Sequence, residues 1–189
     1  DACMSWHNHS IRYKRNDMLD ATGLADETIG RAYPRVDADP RQWFLDWMGV
    51  SGPEKESDVS AAAFFDTERS YWERRHAPNL LLVHYTNLLA DLDGEMRRIA
   101  KFLDIPVDAR VWPSLVDAAT FAVMKRDGAT ILPGMEQAFE GGHNGFINAG
   151  RNERWREVLT PADIALYRSR AAGTLDAGLV HWLETGEIR

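Results

Sequence analysis

The chain has 189 residues with 22 Lys+Arg against 29 Asp+Glu, a formal charge of −7; its length fits one domain, and its balance argues against a nucleic-acid partner, though not against a local phosphate pocket. Hydrophobic residues make up 44% and charged residues 27%, which excludes wholesale disorder. The single cysteine, Cys3, excludes an internal disulfide and a cysteine-rich zinc site and points to a reducing, cytoplasmic setting, and no apolar run approaches the ~18 residues of a membrane span.

The sequence opens on Asp1-Ala2-Cys3-Met4-Ser5 with no initiator methionine or signal segment, as though in mid-element. Asp1 to about Met18 reads as a helix with Asp1 as cap and Met4, Ile11 and Met18 at heptad spacing. Ala21 to Pro40, broken by Gly23, Gly30 and Pro34, reads as a long loop or lid. Pro40 then opens a short helix with Trp43, Phe44, Trp47 and Met48 on one face, stopping at Gly49. Ser51 to Asp58 is a polar linker, and Ser60 caps a helix to about Arg75 that is expected to bury Ala63, Phe64, Tyr71 and Trp72.

Leu80-Leu81-Leu82-Val83-His84-Tyr85 is the strongest strand signal, a continuous apolar run of the kind covered on both faces. A helix capped by Thr86 or Asn87 follows, with Leu88, Leu92, Met96, Ile99, Phe102 and Leu103 as its stripe, ending before Pro106. Shorter helical stretches near 108–118 and 121–126 lead into a glycine-rich loop from Gly134 to Gly150. Thr160-Pro161-Ala162-Asp163 starts another helix with cap, proline and early acid, and Thr174 to Leu183 makes the last. A doubly covered strand needs ladder neighbours, and the sequence contains no second strand of comparable strength. The expected architecture is therefore α/β, a P-loop-like parallel sheet with flanking helices. Residues 1–189 would be the carboxy-terminal part of that single domain, contributing mostly helices and one strand.

Four elements in order resemble the cytosolic-type sulfotransferases, which use 3′-phosphoadenosine 5′-phosphosulfate. Asp1 through Ser5 is similar to the end of the family's D-x-x-x-S element, and Tyr85-Thr86-Asn87-Leu88 with Phe102-Leu103-Asp104-Ile105 to its Y-E-D-L and F-L-G-I. Thr120-Phe121 with Met124-Lys125 resembles S-F-x-x-M-K, and Phe146 through Trp155 resembles F-x-R-K-G-x-x-G-x-W. The resemblance implies a sulfuryl transfer from the phosphosulfate donor to a hydroxyl or amine of a small acceptor. It also implies a donor site in which Ser5, Asn148, Gly150, Arg151 and Arg154 face the 3′-phosphate. Tyr85, Thr120 and Phe121 would lie along the nucleotide, Phe121 stacked on adenine.

The residue chemistry is compatible with those roles. A serine near a helix N-terminus sits among unpaired amides, and a loop glycine permits close backbone approach to a phosphate. Taken alone, Ser5 is as well explained by a local backbone bond, and Phe121 by the core. The sequence departs from the pattern where Asn148 and Ala149 replace the loop Arg-Lys, where Thr86 and Asn87 replace Glu and Asp, and where Ala119 takes the place of a threonine. The family's donor-loop lysine and catalytic histidine would both lie ahead of Asp1. The resemblance thus implies a missing amino-terminal segment, no catalytic residue in this chain, and no turnover by the chain alone. His7 and His9 do not replace them jointly, because they project about 200° apart on a helix. Two other readings remain at this point: a helical interaction module whose tryptophans bind a partner, and a phosphoryl-transfer enzyme with the same kind of nucleotide half. Trp6, Trp43, Trp47 and Trp72 are candidates for an apolar acceptor pocket as well as for core.

Overall fold

A computed structural model describes residues 1–14, 37–49 and 60–188. Most of the lid at 21–40, the linker at 51–58 and Met18 lie outside the described residues. The chain forms two compact units, Asp1–Phe44 with Ala119–Val158, and Leu45–Ala118 with Leu159–Arg189.

In the first unit α1 (Ala2–Arg12) has Asp1 at its N-cap and ends where Tyr13 turns extended. Its buried face is Cys3, Met4, His7 and Asn8, whereas Ile11, expected on the same side, is exposed. Helix α2 (Pro40–Trp47) begins where the proline predicts, and Gly49 ends it at φ 71°, a conformation that glycine adopts without strain. Trp43 and Phe44 are buried, and the Trp43 indole N–H donates to the Cys3 carbonyl at 3.2 Å.

The second unit contains α3 (Ala61–Trp72), whose Ser60 hydroxyl accepts the Ala63 N–H at 3.1 Å. The cap is as read, but the buried face is Ala61, Phe65 and Trp72, and Tyr71 is exposed. The sequence face was displaced by about one residue, because the aromatic pair Phe64-Phe65 offers two adjacent stripes and Phe65 takes the inward one, beside Tyr167 at 6.0 Å between centroids.

Leu80 to His84 does not form the expected strand. It is an irregular, half-buried segment with no ladder, and Tyr85 already belongs to helix α4 (Tyr85–Ala90). Among the described residues the only strand-like pairing is one antiparallel bridge, Tyr13 with Phe139. An apolar run becomes a strand only when a neighbour satisfies its backbone, and none is described here. The Leu82 carbonyl instead accepts the Arg98 guanidinium at 2.9 Å.

The helix expected after it is two. His84, rather than Thr86 or Asn87, caps α4 by accepting the Thr86 N–H on Nδ1, and the Nε2–H donates to the Leu183 carbonyl at 3.3 Å. Asp91 then breaks the helix at φ −147° and caps α5 (Leu92–Phe102) through the Gly94 N–H. Helix α6 (Trp112–Ala118) follows. Thr160 and Asp163 make the full reciprocal capping box on α11 (Pro161–Thr174), while Asp176 caps α12 (Ala177–Thr185), where Leu179 and Trp182 are buried. Between α6 and α11 the first unit resumes with α7 (Phe121–Arg126) and α8 (Gly128–Ile131). The glycine-rich stretch, expected as loop, contains the short helices α9 (Met135–Ala138) and α10 (Gly142–Phe146).

Candidate donor-side site

The motif residues of the first unit gather around one loop. Gly150 has φ 60°, and a Cβ there would lie 2.3 to 2.5 Å from the ring of Phe121. Only glycine fits, on both backbone and steric grounds. Phe121 opens α7, and the Thr120 hydroxyl caps it by accepting the Val123 N–H. Thr120 therefore has a structural task as a cap. One turn on, the Lys125 ammonium donates to the Asn148 carbonyl at 2.7 Å and stands 5.6 Å from the Phe121 centroid. The sequence reading quoted Lys125 in a motif without giving it a role; spacing alone does not show that it ties α7 to the loop.

Ser5 is exposed on α1, and its backbone N–H is already bonded to the Asp1 carbonyl at 2.9 Å, so only the hydroxyl is available to a ligand. The start of α1 is tied to the same loop region, since an Asp1 carboxylate oxygen accepts the Glu153 N–H at 3.0 Å. Arg151 is exposed and paired with Glu157 at 2.8 Å. Arg154 begins the 3-10 turn Arg154–Glu157 and lines a cavity beside the buried face of α1, together with Met4 and Asn8. Tyr85 lies in the second unit, exposed at the first position of α4.

An aromatic group that the sequence reading did not assemble stands on the helix of Ser5. The His9 ring stacks on Phe146 at 4.8 Å and 8°, Phe139 meets both edge-on, and Tyr13 packs on Phe139 at 5.3 Å. His7 faces elsewhere, donating from Nε2 to the Asp37 carbonyl at 2.9 Å beside Trp43. The divergence of the two histidines is as read from helical geometry. Burial pushes the Cys3 thiol up to about 12, so it is a packing group rather than a nucleophile. Of the four tryptophans considered for an acceptor pocket, Trp43 and Trp72 are core, Trp47 packs on Phe64 and Phe65, and Trp6 alone is exposed.

The family model described as "Sulfotransferase domain" matches residues 1–174. A glycolipid sulfotransferase of Mycobacterium bovis is 26% identical over 155 residues, covering 78% of this chain and 47% of that protein. Sulfotransferase 1B1 of Mus musculus is 25% identical over 122 residues, covering 62% of this chain and 41% of that protein. Luciferin sulfotransferase of Photinus pyralis is 24% identical over 123 residues, with 62% and 33% covered. No solved structure matches. The chain spans about half the length, or less, of the curated relatives it matches. With a family model that accounts for nearly all of its length, and with the four motif elements in the family's order, the chain belongs to the sulfotransferase family.

Proposed function

We propose that the complete protein transfers a sulfuryl group from 3′-phosphoadenosine 5′-phosphosulfate to a hydroxyl or amine of a small acceptor, and that residues 1–189 are the carboxy-terminal part of its catalytic domain. The observation that carries this reading is the seat of Gly150 against Phe121, a close approach that excludes any side chain at the loop glycine of the family's motif. The residues fit the 3′-phosphate and adenine side of the donor in kind. Ser5 offers a hydroxyl with no partner among the described residues, the Gly150 loop offers backbone at close range, and Phe121 offers an aromatic face.

The positive charge is thinner than in the family's pattern, because Asn148 and Ala149 stand where Arg-Lys is usual. Arg151 is the natural replacement. Its pair with Glu157 has both side chains more than half exposed, and such surface pairs contribute only about 0–1 kcal/mol. Exchanging the carboxylate for a phosphate is therefore cheap, and a guanidinium bonds a phosphate as readily.

When bound, the phosphosulfate supplies the activated sulfuryl group. This chain's residues bind and orient the nucleotide, while the donor-loop lysine and the general base come from a segment outside these residues. The aromatic group of His9, Phe139 and Phe146 supplies an apolar wall for the acceptor on the helix that carries Ser5. Incubating the complete protein with the phosphosulfate and a panel of phenols, amines and glycolipids tests the reading. Release of adenosine 3′,5′-bisphosphate that depends on an acceptor is expected. No release with any acceptor, or turnover by residues 1–189 alone, would contradict it.

A further inference from the structure

The buried face of α1 borders a cavity of about 310 Å³ within the first unit. Its polar lining includes Asn8, Arg12 and Arg154, and its apolar lining includes Met4, Ile11 and Val158. Asn8 is only 5% exposed, and its Nδ2 has no hydrogen-bond partner among the described residues. Native interiors rarely leave a buried amide unpaired, and an orphan beside a cavity points to a missing acceptor.

The charges on the same wall agree. Neither Arg12 nor Arg154 has a carboxylate partner among the described residues, whereas Glu157, which also lines the cavity, is held by Arg151. Asn8 and Arg12 are four residues apart on α1 and so share a face. Guanidinium groups only donate, and their fork matches an oxyanion. The apolar residues ask for hydrocarbon, and the volume lies at the small end of ligand pockets.

We propose that this cavity binds a small amphipathic anion, one carboxylate or sulfate ester on a short apolar body, with Asn8, Arg12 and Arg154 as its donors. The cavity shares only Arg154 with the residues that the family resemblance assigns to the nucleotide, since Ser5, Phe121, Asn148, Gly150 and Arg151 do not line it. Its failure would leave the donor-side reading standing.

The test is calorimetric titration of the complete protein with hexanoate, hexyl sulfate and neutral hexanol. At least one anion is expected to bind saturably and at least tenfold more tightly than hexanol, and the preferred anion identifies the headgroup. Asn8→Leu, close in size but without donors, should weaken that anion by roughly tenfold to hundredfold, the usual effect of losing a hydrogen bond to a charged group. Arg12→Gln should do likewise. Being half-exposed and without an ion pair among the described residues, it keeps the test available if Asn8→Leu does not fold. Both variants should bind adenosine 3′,5′-bisphosphate as the parent does. The proposal is overturned if neither anion binds, if hexanol binds as tightly, or if Arg12→Gln leaves anion affinity unchanged.

Discussion

The two units treat their apolar residues differently. In the first, the motif residues are woven into a local network: Gly150 against Phe121, Lys125 onto Asn148, Asp1 onto Glu153. In the second, α12 is firmly seated, with Leu179 at 0% and the Trp182 ring 6.0 Å from Trp72, whereas Phe102, Leu103 and Ile105 are exposed at the end of α5. Leu80 to Val83 also remain half-buried without a ladder. Exposed apolar side chains that lie close together commonly mark an interaction surface, and Phe102, Leu103 and Ile105 are candidates for one. On the proposed function, the first unit would carry the ligand chemistry and the exposed apolar residues of the second would be covered by the rest of the catalytic domain.

The largest expected effect sharpens the contrast inside the second unit. Leu179→Ala should cost the complete protein about 2–5 kcal/mol, the range for a core leucine. Leu103, 54% exposed here, should cost under about 0.5 kcal/mol on the same substitution if it stays at the surface. If the rest of the domain covers it, the loss should approach the core value. Denaturant unfolding of both variants in the complete protein decides, and a negligible loss at Leu103 would break the reading of that face as an interior one.

Next is Gly150→Ala. Positive φ costs about 1–2 kcal/mol for a residue with a Cβ, and the collision with Phe121 adds about 1–3 kcal/mol of overpacking. A drop of about 2–5 kcal/mol in stability is expected, together with weaker nucleotide binding. A neutral effect would show that the loop relaxes freely and is not a fixed seat.

A smaller loss is expected from Thr160→Ala, which removes the hydroxyl from the capping box on α11 and should cost about 1 kcal/mol by thermal melting. The smallest effect concerns Asp93. Hydrogen bonds from Arg97 and then from the Trp112 indole hold its carboxyl below the ordinary range. Its contribution is present above about pH 4 and is lost as pH falls through the lowered value. Indole fluorescence should change only below the ordinary carboxylate range, and Asp93→Asn should remove that acid-side change.

What was legible followed from local chemistry. Pro40, Ser60 and Thr160-Asp163 place their helix starts correctly because a cap is decided within four residues. The motif order was readable for the same reason. The strand at Leu80 to Tyr85 was misread because an apolar run states that a segment is to be covered, not that a ladder partner is present. The helix break at Asp91 was missed because the stripe from Leu88 to Leu103 runs through it uninterrupted. Lys125 was quoted in a motif without a role, and Asn8 of the neighbouring cavity was not singled out, since what distinguishes them is a tertiary partner gained by one and, among the described residues, lacked by the other.

The claim at the centre of this account is that the first unit holds a 3′-phosphate through Ser5. Ser5→Ala in the complete protein should lower affinity for adenosine 3′,5′-bisphosphate by the ~1.5–3 kcal/mol of a hydrogen bond to a charged group, roughly tenfold to hundredfold. An analogue lacking the 3′-phosphate should bind variant and parent alike. A serine serving only its own helix would instead give a modest fall in melting temperature and shift both nucleotides together. Calorimetric titration of the two nucleotides against parent and Ser5→Ala separates these outcomes. A selective loss for the bisphosphate is the result predicted, and equal losses for both would remove Ser5 from the site.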